Sequence, residues 1–108
     1  MMRGEVWWVE FDPAVGTEIH KTRPAVIISN DAANRNLSRV IVVALTSNTE
    51  RVYPGNALVR VGGVLSKAMA DQIMTADKLR LKSKLGELSK QDMQAVDDAV
   101  GVQLGLRK

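Results

Sequence analysis

The chain contains no cysteine. That excludes a disulfide scaffold, a thiolate nucleophile and any cysteine-ligated metal. It also has a single histidine, His20, so a two-histidine acid/base pair within one chain is impossible. With one imidazole and no thiol, a transition-metal site would need carboxylates, and no spaced Asp/Glu cluster accompanies His20. Neither a P-loop nor a dinucleotide fingerprint occurs, because Gly62-Gly63 and Gly101 lack the required glycine spacing. No metal and no nucleotide cofactor is therefore expected. Long apolar runs are missing as well, none approaching the ~20 residues of a membrane-spanning helix. Met1-Met2-Arg3-Gly4-Glu5 leads directly into strand-like sequence rather than a signal-peptide core. The expected location is the cytoplasm, with no membrane partner. With 8 glycines and 3 prolines spread along the chain, no linker, repeat or low-complexity tract interrupts it.

What remains is one domain, residues 1–108, with the balance of a globular protein: 45% apolar and 25% charged residues. The net charge of +3 permits a nucleic-acid or acidic-peptide partner without requiring one. Its distribution says more. Arg3, His20, Lys21, Arg23, Arg35, Arg39 and Arg51 crowd the first half. Most acids of the second half, such as Asp77, Glu87 and Asp92, are interleaved with lysine and arginine.

Glu5–Phe11 reads as a strand apolar on both faces. Trp7 and Trp8 in it fit core and rim packing better than a base-stacking platform. Pro24 has no N–H and suits the first residue of a second strand running to Ser29. It also biases Arg23 toward extended backbone. Residues 30–36 are turn-prone, with room for one helical turn. Further strands are expected over Arg39–Leu45 and Ala57–Val61, then one or two between Leu65 and Thr75. Asp77–Arg80 reads as a tight helical turn. A last helix starts at the N-cap Ser89, with Asp92 three residues on. Met93, Val96, Val100 and Leu104 form its apolar stripe, and Asp97 and Asp98 its solvated face. The implied fold is mainly β with α: a small, strongly bent antiparallel sheet or half-open barrel carrying a C-terminal amphipathic helix.

The polar residues left over form a constellation: His20, Lys21, Arg23, Thr46, Ser47, Asn48 and Gln72. Arg23 enters one strand and Thr46 leaves the next. If those strands are antiparallel neighbours, the two residues share one rim of the sheet. A guanidinium fork with a hydroxyl can hold a phosphodiester and stabilise charge developing on it. That suits attack by a neighbouring 2′-hydroxyl of RNA, because the substrate brings its own nucleophile. Plainer readings stand beside this one. Arg23 is equally consistent with a surface ion pair, and Thr46-Ser47-Asn48 with an ordinary turn.

Six segments, in order, resemble the MazF/PemK family of toxin endoribonucleases from bacterial toxin–antitoxin pairs. They are Arg3–Trp7, Asp12–Glu18, Lys21–Asp31, Leu45–Asn48, Ala70–Lys78 and the helix ending in Leu104-Gly105-Leu106. The resemblance implies an SH3-like barrel with a C-terminal helix, and usually a homodimer. The apolar content on both faces of the first strand points the same way. It further implies metal-independent cleavage of single-stranded RNA at short sequence motifs, leaving 2′,3′-cyclic phosphate and 5′-hydroxyl ends. A cognate antitoxin partner would cover the RNA groove with a flexible, often acidic segment. The family's catalytic arginine and threonine fall on Arg23 and Thr46. Lys21, Thr22, Ser47, Asn48 and Gln72 become RNA-binding candidates, and His20 an RNA-contact or auxiliary proton-transfer candidate. Met74 departs from the arginine that many relatives carry there, which puts a phosphate or base contact at that position in doubt. The competing expectation is a CcdB-like toxin that poisons DNA gyrase by protein contact and needs neither Arg23 nor Thr46.

Overall fold

The structure is a computed structural model and describes residues 1–107. Six strands form one antiparallel sheet: β1 (Glu5–Glu10), β2 (Thr22–Ile27), β3 (Arg39–Thr46), β4 (Asn56–Val61), β5 (Val64–Asp77) and β6 (Leu81–Glu87). Their order across the sheet is β4-β5-β3-β2-β1-β6. A short helix α1 (Asp31–Asn36) joins β2 to β3, a 3₁₀ turn Lys78–Arg80 joins β5 to β6, and α2 (Lys90–Gln103) closes the chain. The expected bent sheet with a C-terminal helix is what forms.

Both faces of the central strands are apolar because both are covered. Val6, Val26, Val43, Leu45, Val59 and Val61 pack in one cluster with Val96 and Ala99 of α2. Val9, Phe11, Ala25, Ile27, Val42, Ala44 and Leu81 form a second. Full burial of Val96 (0% exposed) contributes about 1.5–3 kcal/mol toward docking α2. Both faces of β1 are thus used inside the chain, with Val6 and Val9 both 0% exposed. The apolar pattern of β1 is explained by its own core, and says nothing about a second copy.

Three local outcomes differ from expectation, and the stretch expected as one or two strands resolves to one. β2 begins at Thr22, two residues before Pro24. It pairs there with β1 alone, while the ladder to β3 starts at Ala25, so the missing proline N–H falls where the third strand has not yet joined. The stretch Leu65–Thr75 lies inside a single 14-residue strand. That strand forms a tight hairpin with β4 through Gly62-Gly63, whose φ values of +57° and +82° suit a two-residue turn. Leu104 lies beyond the end of α2 and is 53% exposed. The chain turns at Gly105 (φ +75°), with the Leu106 N–H donating to the Gly101 carbonyl at 2.8 Å. β6 has no counterpart among the strands expected from the sequence. Lys82, Lys84 and Gly86 give it no apolar alternation, and only Leu81 is buried. It is an edge strand held to β1 by backbone pairing and by Lys84, whose Nζ lies 3.3 Å from the Glu5 carboxylate.

Candidate nucleic-acid groove

β2 and β3 pair as Ala25 with Ala44, Val26 with Val43 and Ile27 with Val42. Continuing that register to the strand ends sets Arg23 directly opposite Thr46. Both line an open groove of about 590 Å³, together with Lys21, Thr22 and Ser47. The rest of the lining is largely apolar: Trp8, Pro24, Leu45, Val61, Val64 and Leu85, with Ser66. Leu45 and Val61 also belong to the core beneath α2, yet no residue of α2 lines the groove. The groove therefore continues the helix-covered face of the sheet past the helix.

Its charge is one-sided. Among the described residues, Lys21 and Arg23 are the only charged ones in the lining, and no carboxylate is present. Among the described residues neither cation has a carboxylate oxygen within 4.0 Å. The Arg23 Nε–H donates to the His20 carbonyl at 3.3 Å, so a backbone oxygen holds the guanidinium instead of an ion pair. Lys21 sits at φ +66°, a left-handed conformation uncommon for a side chain of its size. Thr46 Oγ1 accepts the Asn48 N–H at 3.2 Å, and Asn48 Oδ1 accepts the Glu50 N–H at 3.2 Å. The turn reading is thus correct as geometry. It leaves the Thr46 hydroxyl proton free to be donated.

Three candidates lie apart from this lining. His20 and Asn48 are exposed outside it. Gln72 lies at a break in β5. Val43 pairs with Ile73 but the next residue, Ala44, pairs with Met69, so Ala70, Asp71 and Gln72 bulge out of the ladder. Gln72 Oε1 accepts the Ile19 N–H at 3.0 Å, and Nε2 donates to the Thr17 carbonyl at 3.4 Å. Met74 packs half-buried against the second core cluster and lines a smaller cavity of about 220 Å³ under the same loop.

Trp8, Val61, Val64, Ser66 and Leu85 were not singled out as groove residues from the sequence. Core and rim packing is the expectation for Trp7 and Trp8; Trp7 packs on the second core cluster and Trp8 is 38% exposed on the groove wall. The strand period carried a signal: Trp7 and Val9 share one face, which leaves Trp8 on the face of Val6. Where α2 stops covering that face was not readable.

Comparison with known proteins identifies the relatives of this chain. Residues 2–104 match the family described as PemK-like, MazF-like toxin of type II toxin–antitoxin system. The chain is 38% identical to endoribonuclease MazF9 of Mycobacterium tuberculosis, over 98% of each chain. It is 37% identical to endoribonuclease MazF of Staphylococcus saprophyticus, over 98% of this chain and 92% of the relative. Among solved structures, a mycobacterial endoribonuclease in complex with its cognate antitoxin superposes with a TM-score of 0.84 at 28% identity, covering 100% of this chain and 98% of the other. MazF of Deinococcus radiodurans does so with a TM-score of 0.86 at 26% identity, covering 97% and 96%. The chain belongs to the PemK-like, MazF-like toxin family of type II toxin–antitoxin systems.

Proposed function

We propose that the protein is a toxin endoribonuclease that cleaves single-stranded RNA at short sequence motifs in the groove, without a metal ion. One observation carries this reading. Arg23 at the start of β2 and Thr46 at the end of β3 line one groove, whose lining among the described residues has cations and no carboxylate. The endoribonuclease relatives at 37–38% identity support the same chemistry.

In the proposed mechanism the RNA phosphate seats between Lys21, Arg23 and Thr46, and bases lie along the apolar wall of Trp8, Pro24 and Leu85. The 2′-hydroxyl gives up its proton as its oxygen attacks phosphorus, and the departing 5′-oxygen takes one up as its bond to phosphorus breaks. This leaves a 2′,3′-cyclic phosphate and a 5′-hydroxyl. The Nη donors of Arg23 and the Thr46 hydroxyl stabilise the negative charge that grows on the phosphoryl oxygens. His20, the only imidazole, is the candidate for moving a proton, and Ser47 and Asn48 extend the polar rim. The active form is a homodimer, and a cognate antitoxin silences it by covering the groove with an acidic segment.

The test uses purified protein, a long RNA and EDTA, with the new 5′ ends mapped. Cleavage at short recurring motifs with 5′-hydroxyl ends is expected. An RNA carrying one 2′-deoxy sugar before the scissile phosphate should bind and resist cleavage. Cutting of that substrate would indicate attack by water. Absence of cleavage together with growth arrest in cells would favour a toxin that acts by protein contact alone.

A further inference from the structure

Resting on that reading, we infer that Gln72 is a positioning residue for Arg23, acting through the β1–β2 loop rather than by touching RNA. Both polar atoms of its amide bond the main chain of that loop: Oε1 accepts the Ile19 N–H and Nε2 donates to the Thr17 carbonyl. The bulge at Ala70–Gln72 delivers it. Within the bulge the Ala70 N–H is diverted to the Gly55 carbonyl at 3.0 Å, and Gln72 turns under the loop.

The base of the loop is closed independently. Phe11 N–H donates to the Lys21 carbonyl at 2.8 Å. Arg80 Nη1 donates to the carbonyls of Glu10 and Asp12 at 2.9 and 2.8 Å. The middle is held less firmly. Val15 and Glu18 bond only to each other. Among the described residues, Gln72 and Arg23 are the only side chains outside the loop that hydrogen-bond its backbone between Pro13 and His20.

Those two bonds are adjacent. Gln72 fixes the amide of Ile19, and the carbonyl of the next residue, His20, accepts from Arg23 Nε. Lys21 at φ +66° sets the angle at which that carbonyl faces β2. With Nε occupied by His20, the two Nη groups are left to meet a phosphate as a fixed fork. Removing the Gln72 amide frees Ile19, lets the His20 carbonyl wander and loosens the aim of the guanidinium.

The experiment compares Gln72→Ala and Gln72→Glu with the parent chain, each checked for an unchanged melting temperature. Gln72→Ala should lower cleavage at saturating RNA by roughly tenfold or more, the scale of a small misplacement of a reacting group, while RNA affinity stays near that of the parent. Gln72→Glu keeps the acceptor for Ile19 and should recover part of the loss. In an Arg23→Lys background, Gln72→Ala should cost nothing more, because a lysine has no Nε fork to aim. Weakened binding with an unchanged rate at saturation would overturn the inference, as would additive losses in the double variant. The relay also has a readout that needs no activity. Hydrogen exchange of the Ile19 N–H and the Arg23 Nε–H, followed by NMR, should quicken in Gln72→Ala, and unchanged exchange would overturn it. A parent chain that cuts no RNA would sink the proposed function while leaving this readout interpretable.

Discussion

β2 and β3 lie side by side, and their two ends use similar polar residues in opposite ways. At the end where β2 stops and β3 starts, Asn34 is 2% exposed. Its Nδ2 donates to the Ser29 carbonyl at 2.9 Å and to Asp31 Oδ1 at 3.2 Å, and its Oδ1 accepts from Ser29 Oγ. Ser29 Oγ in turn accepts the Ile41 N–H at 3.0 Å, and Lys78 Nζ caps the Asn34 carbonyl. Arg3 joins the knot by donating its N–H to Asp31 at 2.7 Å and its guanidinium to the Ile28 carbonyl and Asp97. At the other end, the side chains of Lys21, Arg23, Thr46 and Ser47 have, among the described residues, one guanidinium–carbonyl bond and one turn bond between them. The contrast separates polar groups that hold a fold from polar groups kept available. Buried polar atoms are costly unless paired, so unspent donors persist where solvent or a ligand can reach them.

The largest expected effect tests the open end. Arg23→Lys keeps the unit charge and loses the paired donors. RNA cleavage should fall by roughly a hundredfold or more, the loss typical of removing one such stabilising donor, with RNA binding and melting temperature little changed. Thr46→Ala should behave the same way. Full activity in Arg23→Lys would mean that diffuse charge suffices there, and the contrast between the ends would lose its functional half.

The closed end should give the mirror image. Asn34→Ala removes a buried amide and takes its partners from the half-buried Ser29 hydroxyl and carbonyl. It should cost about 2–3 kcal/mol, the penalty of breaking a buried network, or roughly 10 °C or more in a domain this size. Cleavage per folded molecule should stay near that of the parent, measured well below the variant's melting point. Loss of cleavage without loss of stability would show that this end communicates with the groove.

How much of this was legible in the sequence depends on how local each cause is. The capping of α2 was readable from Ser89 and Asp92, because Ser89 Oγ accepts the Asp92 N–H across three residues. The strands of the core were readable from β-branched runs. Arg23 and Thr46 could be brought together by one antiparallel step, since strand order alone fixes it. β6 could not be read, because its place depends on the edge of β1 and on the Lys84–Glu5 pair rather than on its own pattern. Gln72 was recognisable as a candidate but not in its structural place. That place comes from a register break opposite Val43 and Ala44, and bulges of this kind leave little local signature.

The smallest expected effect concerns acid, and it again separates the two ends. The Asp31 carboxyl is held below its ordinary value, first by the Arg3 backbone N–H. Burial opposes this, and the Asn34 amide and the charges of Arg35 and Arg3 add to it. Glu5, 9% exposed, is pushed up by burial. It is nevertheless lowered on balance by the Trp7 indole N–H at 2.9 Å, the Met2 backbone and Lys84. Both carboxylates therefore bind protons more weakly folded than unfolded. Their contribution is fully present above the ordinary carboxylate range and is lost as pH falls below roughly 4 toward the lowered folded values. Melting temperature should be flat near neutrality and drop in mild acid. Asp31→Asn or Glu5→Gln should lower it slightly at neutral pH and flatten the acid limb, because the variant has less proton-linked stability to lose. Arg23→Lys, at the end without carboxylates, should trace the parent curve. A flatter acid limb in Arg23→Lys would mean that the groove cations are paired after all, and the division between spent and available polar groups would fail at its simplest point.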